Sequence, residues 1–107
     1  MTPHRIFRII YAPEVIANLR IIDPQYLSLL RKTIEVQLLH EPNVETRNRK
    51  PLLRPISVEA KWELRFGPGN CFWVFYAIDN KNAEVWILAI GVKKGEKIIF
   101  GKKEEKK

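Results

Sequence analysis

From residue 61 to residue 92 the chain alternates strand-like runs with short polar turns, and this pattern restricts the fold more than any other feature. Residues 61–66, 71–79 and 83–92 are dominated by aromatic and branched side chains, and Gly67-Pro68-Gly69-Asn70 and Asp79-Asn80-Lys81-Asn82 separate them. Turns of this composition join antiparallel neighbours, so the second half of the chain is committed to one twisted sheet. Residues 72–78 are apolar on both faces, as a central strand should be. The last run leads into Lys93, Lys94 and Lys97. Such a sheet can gather cations from separate segments on one surface, and that surface suits a polyanion.

The first half reads as strand, helix, helix. Residues 5–11 (RIFRIIY) are β-branched and aromatic, and Pro13 stops them. Residues 13–20 predict a short helix with Val15, Ile16 and Leu19 on one side. Asp23-Pro24 offers an N-cap followed by proline at the first helical position, and the second helix is expected to reach Leu39 or His40. Its apolar stripe is Tyr26, Leu29, Leu30, Ile34 and Leu38. Residues 44–55 have no clean period and collect Arg47, Arg49, Lys50 and Arg54, which predicts a basic loop stiffened by Pro42, Pro51 and Pro55. Residues 97–100 can add a short edge strand. The expectation is an α+β domain over residues 1–101 in the order β-α-α-β-β-β. Two N-terminal helices would pack on one face of a mainly antiparallel sheet of four or five strands, and residues 102–107 would form a charged flexible tail.

Nineteen Lys and Arg against twelve Asp and Glu give 107 residues a net charge of +7, which favours nucleic acid or an acidic protein as partner. No apolar run approaches the ~20 residues of a spanning helix, and the first residues lack a signal-peptide core, so a soluble cytoplasmic protein with no membrane partner is expected. One cysteine, Cys71, and two histidines, His4 and His40, are too few for a Cys/His zinc site, and no metal or cofactor is anticipated. Cys71 lies in an apolar run and reads as a small buried hydrophobe.

Arg65 has forked donors suited to a phosphate and its developing charge, although it can equally pair with Glu63 or Glu84. Lys93, Lys94 and Lys97 lie close enough in sequence to disfavour one another's charge, one physical route to a lysine that accepts a proton. Trp62, Trp73, Phe75 and Trp86 are core candidates, with Trp73 also a candidate base-stacking surface. Pairing across residues 67–70 can set Arg65 beside Trp73 or beside Phe72, and the register is left open. Tyr76 is expected on the opposite face from Trp73, in the core.

Tyr11-Ala12-Pro13-Glu14, Arg49-Lys50-Pro51-Leu52, Trp62-Glu63-Leu64-Arg65-Phe66-Gly67, the run Phe72-Trp73-Val74-Phe75-Tyr76-Ala77-Ile78-Asp79 and Ile90-Gly91-Val92-Lys93-Lys94 occur in an order and spacing that resembles the RelE/ParE superfamily of toxins from type II toxin-antitoxin modules. The resemblance spans nearly the whole chain. It implies a RelE-like fold, a growth-inhibiting toxin and a cognate acidic antitoxin. Members similar to RelE or HigB cleave mRNA on the ribosome without a metal; members similar to ParE poison DNA gyrase. For the endoribonuclease branch the resemblance implies Arg65, Lys93 and Lys94 as catalytic residues. Arg47, Arg49, Lys50, Arg54 and Lys97 become RNA and phosphate contacts, and Trp73 and Phe100 candidate stacking or orienting aromatics. Two departures stand out: Trp73 occupies the place of a strand arginine, and Phe100 lacks the hydroxyl of a terminal tyrosine. The branch therefore stays open between an mRNA endoribonuclease, a gyrase poison and a degenerate nucleic-acid-binding member.

Overall fold

The computed structural model of the chain describes residues 5–52 and 61–101. Arg54, His4 and the 102–107 tail lie outside the described residues. The elements are β1 (Arg8–Tyr11), α1 (Glu14–Leu19), α2 (Leu27–Leu38), β2 (Arg49–Pro51), β3 (Trp62–Phe66), β4 (Phe72–Asp79), β5 (Glu84–Lys94) and β6 (Lys97–Ile99). They form an α+β fold with one six-stranded mixed sheet of order β1-β5-β4-β3-β2, and β6 also pairs with β5.

The expected order and strand count need correction. The expectation set three strands, or four with an edge strand at 97–100, after the two helices, whereas five follow them. The extra strand is β2, which forms within the supposed basic loop by pairing antiparallel with β3. The sheet is mixed because β1 runs parallel to β5, from Arg8 opposite Glu84 to Tyr11 opposite Ile87.

Local chemistry accounts for the helices. The Asp23 carboxylate accepts from the Gln25 amide at 3.1 Å, and Pro24 opens a single 3₁₀ turn that leads into α2. Leu30, Ile34 and Leu38 of α2 are buried in the core, whereas Leu29, which the stripe had included, is exposed. Their partners are the alternate residues of the sheet: Leu64 and Phe66 on β3, Phe72, Val74 and Tyr76 on β4, and Val85, Ile87 and Ile90 on β5. Tyr76 is in the core as expected; its ring stacks on Trp62, and its hydroxyl donates to the Pro42 carbonyl at 2.8 Å.

Ile87 and Ile90 face the same core although three residues apart, because the β4–β5 register shifts between Phe75 and Tyr76. The shift places one additional residue, Leu88, on β5, so the inward alternation resumes one position later. On the far edge of β5, β1 ends at Ile87 and β6 begins at Val92. Buried Asn18 of α1 bridges this gap: its Oδ1 accepts from the Ile90 amide at 2.9 Å, and its Nδ2 donates to the Gly101 carbonyl at 2.8 Å. Asn18 therefore ties the C-terminal end of the described chain to the bulge. No described helix is long and apolar enough to cross a membrane.

Candidate functional site

Helices cover one face of the sheet, and the other carries the functional candidates. The register resolves the alternative left open by sequence: Arg65 lies opposite Trp73, and Phe66 opposite Phe72. Leu64 and Phe66 point to the core, so alternation turns Glu63 and Arg65 to the open face. On β2, Arg49 pairs with Leu64 and Lys50 with Glu63, which sends Arg49 inward and Lys50 outward.

At the centre is Glu63, a carboxylate only 2% exposed. Its Oε1 accepts from Arg65 Nη2 at 2.8 Å and Nε at 3.1 Å, and Lys50 Nζ stands 3.6 Å away. The Arg65 guanidinium carbon sits 3.7 Å from the centroid of the Trp73 ring. Trp73 is held in turn by its indole N–H, which donates to the Asn70 carbonyl at 2.9 Å. Asn48 fixes the Arg65 backbone from the other side, donating from Nδ2 to the Arg65 carbonyl at 2.7 Å and accepting from the Arg65 amide at 2.9 Å. Of the two pairings considered for Arg65, Glu63 is the one formed. Glu84 instead pairs with Arg8 at the opposite end of the open face.

The lysines after Val92 do not act as one cluster. Val92 packs against the core, so Lys94 turns to the helix side of the sheet, and Lys97 pairs with Lys94 on that same side. Lys93 pairs with Ile98 and lies two residues beyond Gly91, the partner of Trp73, which places it on the open face with Arg65. Alternation thus divides Lys93 from Lys94 and Lys97, so Lys93 on the open face lacks the lysine neighbours expected to make it a base. Toward this end the open face presents Lys50, Arg65 and Lys93, the first two paired with the buried Glu63 carboxylate.

Arg49 also needs correction as a phosphate contact. It is 6% exposed, and its Nη1 donates to the Gln37 carbonyl near the end of α2, so it is a structural cation beneath the sheet. Arg47 is exposed in the turn before β2. Phe100 is half-buried with its ring 5.9 Å from that of Phe75, and a Cβ on Gly91 would run into Phe100 and Ile98. Gly91 therefore makes room for Phe100 to close over Phe75, and this aromatic covers the sheet rather than projecting from it. Trp73 is partly exposed, with one ring face occupied by Arg65. Trp86, a core candidate from sequence, is exposed on the open face beside Ala77.

Sequence reasoning gave Glu63 no role beyond that of a competitor for Arg65, and it missed Asn18 and Asn48. The available signal for Asn18 was its position three residues after Val15 on the apolar side of α1. Burial pushes the Cys71 thiol above its ordinary value, which suits a structural cysteine. Among the described residues no group of acidic, histidine and cysteine side chains is arranged to hold a metal.

Comparison with solved structures finds the same architecture in a chain of the toxin-antitoxin complex RelBE2 (Rv2865-2866) from Mycobacterium tuberculosis, with TM-score 0.66 and 22% identity over 82% of this chain and 99% of that one. The fold is RelE-like. No protein-family model and no curated protein matches the sequence. Within this RelE-like fold the described helices form a groove of about 350 Å³ on the side away from the cations, lined by Tyr11, Ile16, Leu19, Leu27 and Arg31 among others.

Proposed function

We propose that the chain is the toxin of a type II toxin-antitoxin pair and that its open sheet face engages mRNA on the ribosome for metal-independent cleavage in the cytoplasm. The observation that carries this reading is the placement of Lys50, Arg65 and Lys93 around Trp73 on the one face the helices leave uncovered. Single-stranded RNA is recognised by this combination of cations for the backbone and planar groups for unstacked bases. In the reaction the 2′-hydroxyl gives its proton to water, its oxygen attacks the adjacent phosphorus to close a 2′,3′-cyclic phosphate, and the 5′-oxygen departs with a proton. Lys93 is the candidate to protonate the departing 5′-oxygen, Lys50 positions the backbone, and Arg65 adds positive charge beside the reacting phosphate.

The partner is a small acidic antitoxin, complementary to a chain of net charge +7. Its apolar side chains would seat in the groove between α1 and α2, where Ile16 is 68% exposed. The decisive experiment induces the protein and maps RNA 5′ ends: new ends within translated messages support the reading, and intact transcripts during growth arrest reject it. A second reading, a gyrase poison, is favoured by two features, Trp73 at the strand arginine's place and Phe100 without a hydroxyl. It predicts loss of supercoiling by gyrase exposed to the purified protein.

A further inference from the structure

We infer that Arg65 is a stacking platform for an unpaired nucleobase, held over Trp73 by Glu63. The inference rests on the RNA reading of the open face and names what this site takes from the RNA.

The edge formed by Nε and Nη2 is given to Glu63 Oε1, at 3.1 and 2.8 Å, which fixes the guanidinium plane and leaves only its terminal Nη1–Nη2 end for a phosphate. Glu63 is buried, so a phosphate that took the Nε–Nη2 edge would leave a carboxylate with only Lys50, 3.6 Å away, to balance it. The faces are a different matter. The guanidinium carbon lies over the indole 3.7 Å from its centroid, at stacking separation, and the side chain keeps a third of its surface in solvent, the surface assigned to a base. Nucleobases stack on guanidinium planes as they do on aromatic rings. The Asn48 backbone clamp and the Trp73 indole bond to Asn70 fix both layers before any ligand arrives.

The flanking charges fit this arrangement. Lys50 on β2 and Lys93 on β5 stand on either side of the stack on the same face, Lys50 with β3 between it and Trp73 and Lys93 on the strand next to Trp73. A base on Arg65 would thus have a lysine on each side for its neighbouring phosphates. Trp73, in the strand arginine's place, becomes the lower layer of the stack.

The test measures binding of the full chain to two probes of equal length and charge, triadenylate and a ribose-phosphate trimer lacking bases. Stacking predicts roughly tenfold tighter binding of triadenylate by the wild-type chain. Arg65→Lys, which keeps the charge and loses the plane, should lower triadenylate affinity to the level of the abasic trimer and leave the abasic affinity and salt slope unchanged. Equal wild-type affinity for the two probes overturns the inference, as does an Arg65→Lys chain that still prefers triadenylate. If Arg65→Lys shifts the melting midpoint, the wild-type comparison alone decides. Absence of wild-type binding to either probe also overturns it, while the mapping of RNA ends in cells separately decides whether the protein cleaves messages.

Discussion

Arg65→Ala is the obvious substitution for testing catalysis, and the structure predicts that it weakens the fold as well. Truncation leaves the Glu63 carboxylate, 2% exposed, with Lys50 as its remaining ion pair at 3.6 Å. Stranding a buried charge costs about 3 to 5 kcal/mol, and the retained lysine reduces this to about 2 to 3 kcal/mol. For a domain near this size that is a fall in melting temperature of roughly 10 to 20 °C. Glu63→Gln strands nothing comparable, because Arg65 and Lys50 reach solvent with side-chain exposures of 33% and 51% and can hydrate; its cost is about 1 kcal/mol. The double variant Arg65→Ala/Glu63→Gln removes the orphaned charge and should melt higher than Arg65→Ala alone. The assay is thermal and urea unfolding of the four proteins as a double-mutant cycle. An Arg65→Ala protein with the wild-type midpoint, or strictly additive effects, would refute the reasoning. Under the proposed toxin reading, lost toxicity in Arg65→Ala becomes evidence about chemistry only when compared with the double variant.

Asn18→Ala removes both partners of the Ile90 amide and the Gly101 carbonyl, and urea unfolding should register a loss of about 2 to 4 kcal/mol; a loss under about 0.5 kcal/mol would show that the bridge is not structural. Burial holds the Tyr76 phenol well above its ordinary value, and burial with Glu35 nearby raises Tyr11 in the same direction. A raised folded-state value means that this stability is complete below the unfolded tyrosine value near 10 and is lost as pH rises beyond it, so melting temperature should fall above about pH 10 and fall less steeply in Tyr76→Phe. Ile16→Glu places a charge in the exposed groove between α1 and α2; it should leave stability within about 0.5 kcal/mol and lower affinity for the proposed acidic antitoxin at least tenfold, as read by titration calorimetry.

Much of the sheet was legible because its strands are local: the turns at 67–70 and 79–82 announce their hairpins, and β3, β4 and β5 follow from them. What escaped was set by distant pairing. β2 is a three-residue strand with a proline at its end, and it exists because β3 offers its edge. The parallel partnership of β1 with β5 depends on a crossover through both helices, which no local pattern encodes. The residue types of the site were legible, but their sides were not. Arg49 and Lys50 are adjacent and diverge to opposite faces, and Lys93 and Lys94 do the same, because a strand reverses direction at every residue. Glu63 was hidden for a related reason. A carboxylate in an apolar strand reads as a surface residue until the cations on both neighbouring positions are seen to enclose it. Asn18 was overlooked within a short amphipathic helix whose apolar side it shares.

The central claim is that Lys50 and Lys93 share the open side of the sheet, which we propose faces RNA, whereas Lys94 and Lys97 lie behind it. The most direct test is the salt dependence of binding to a short single-stranded RNA for Lys50→Ala/Lys93→Ala and for Lys94→Ala/Lys97→Ala, two variants of equal net charge. With about 0.7 of slope for each phosphate neutralised, the first pair should flatten the log-log slope by about 1.4 and the second should leave it at the wild-type value. Equal flattening in both, or flattening only in the second, would contradict the account.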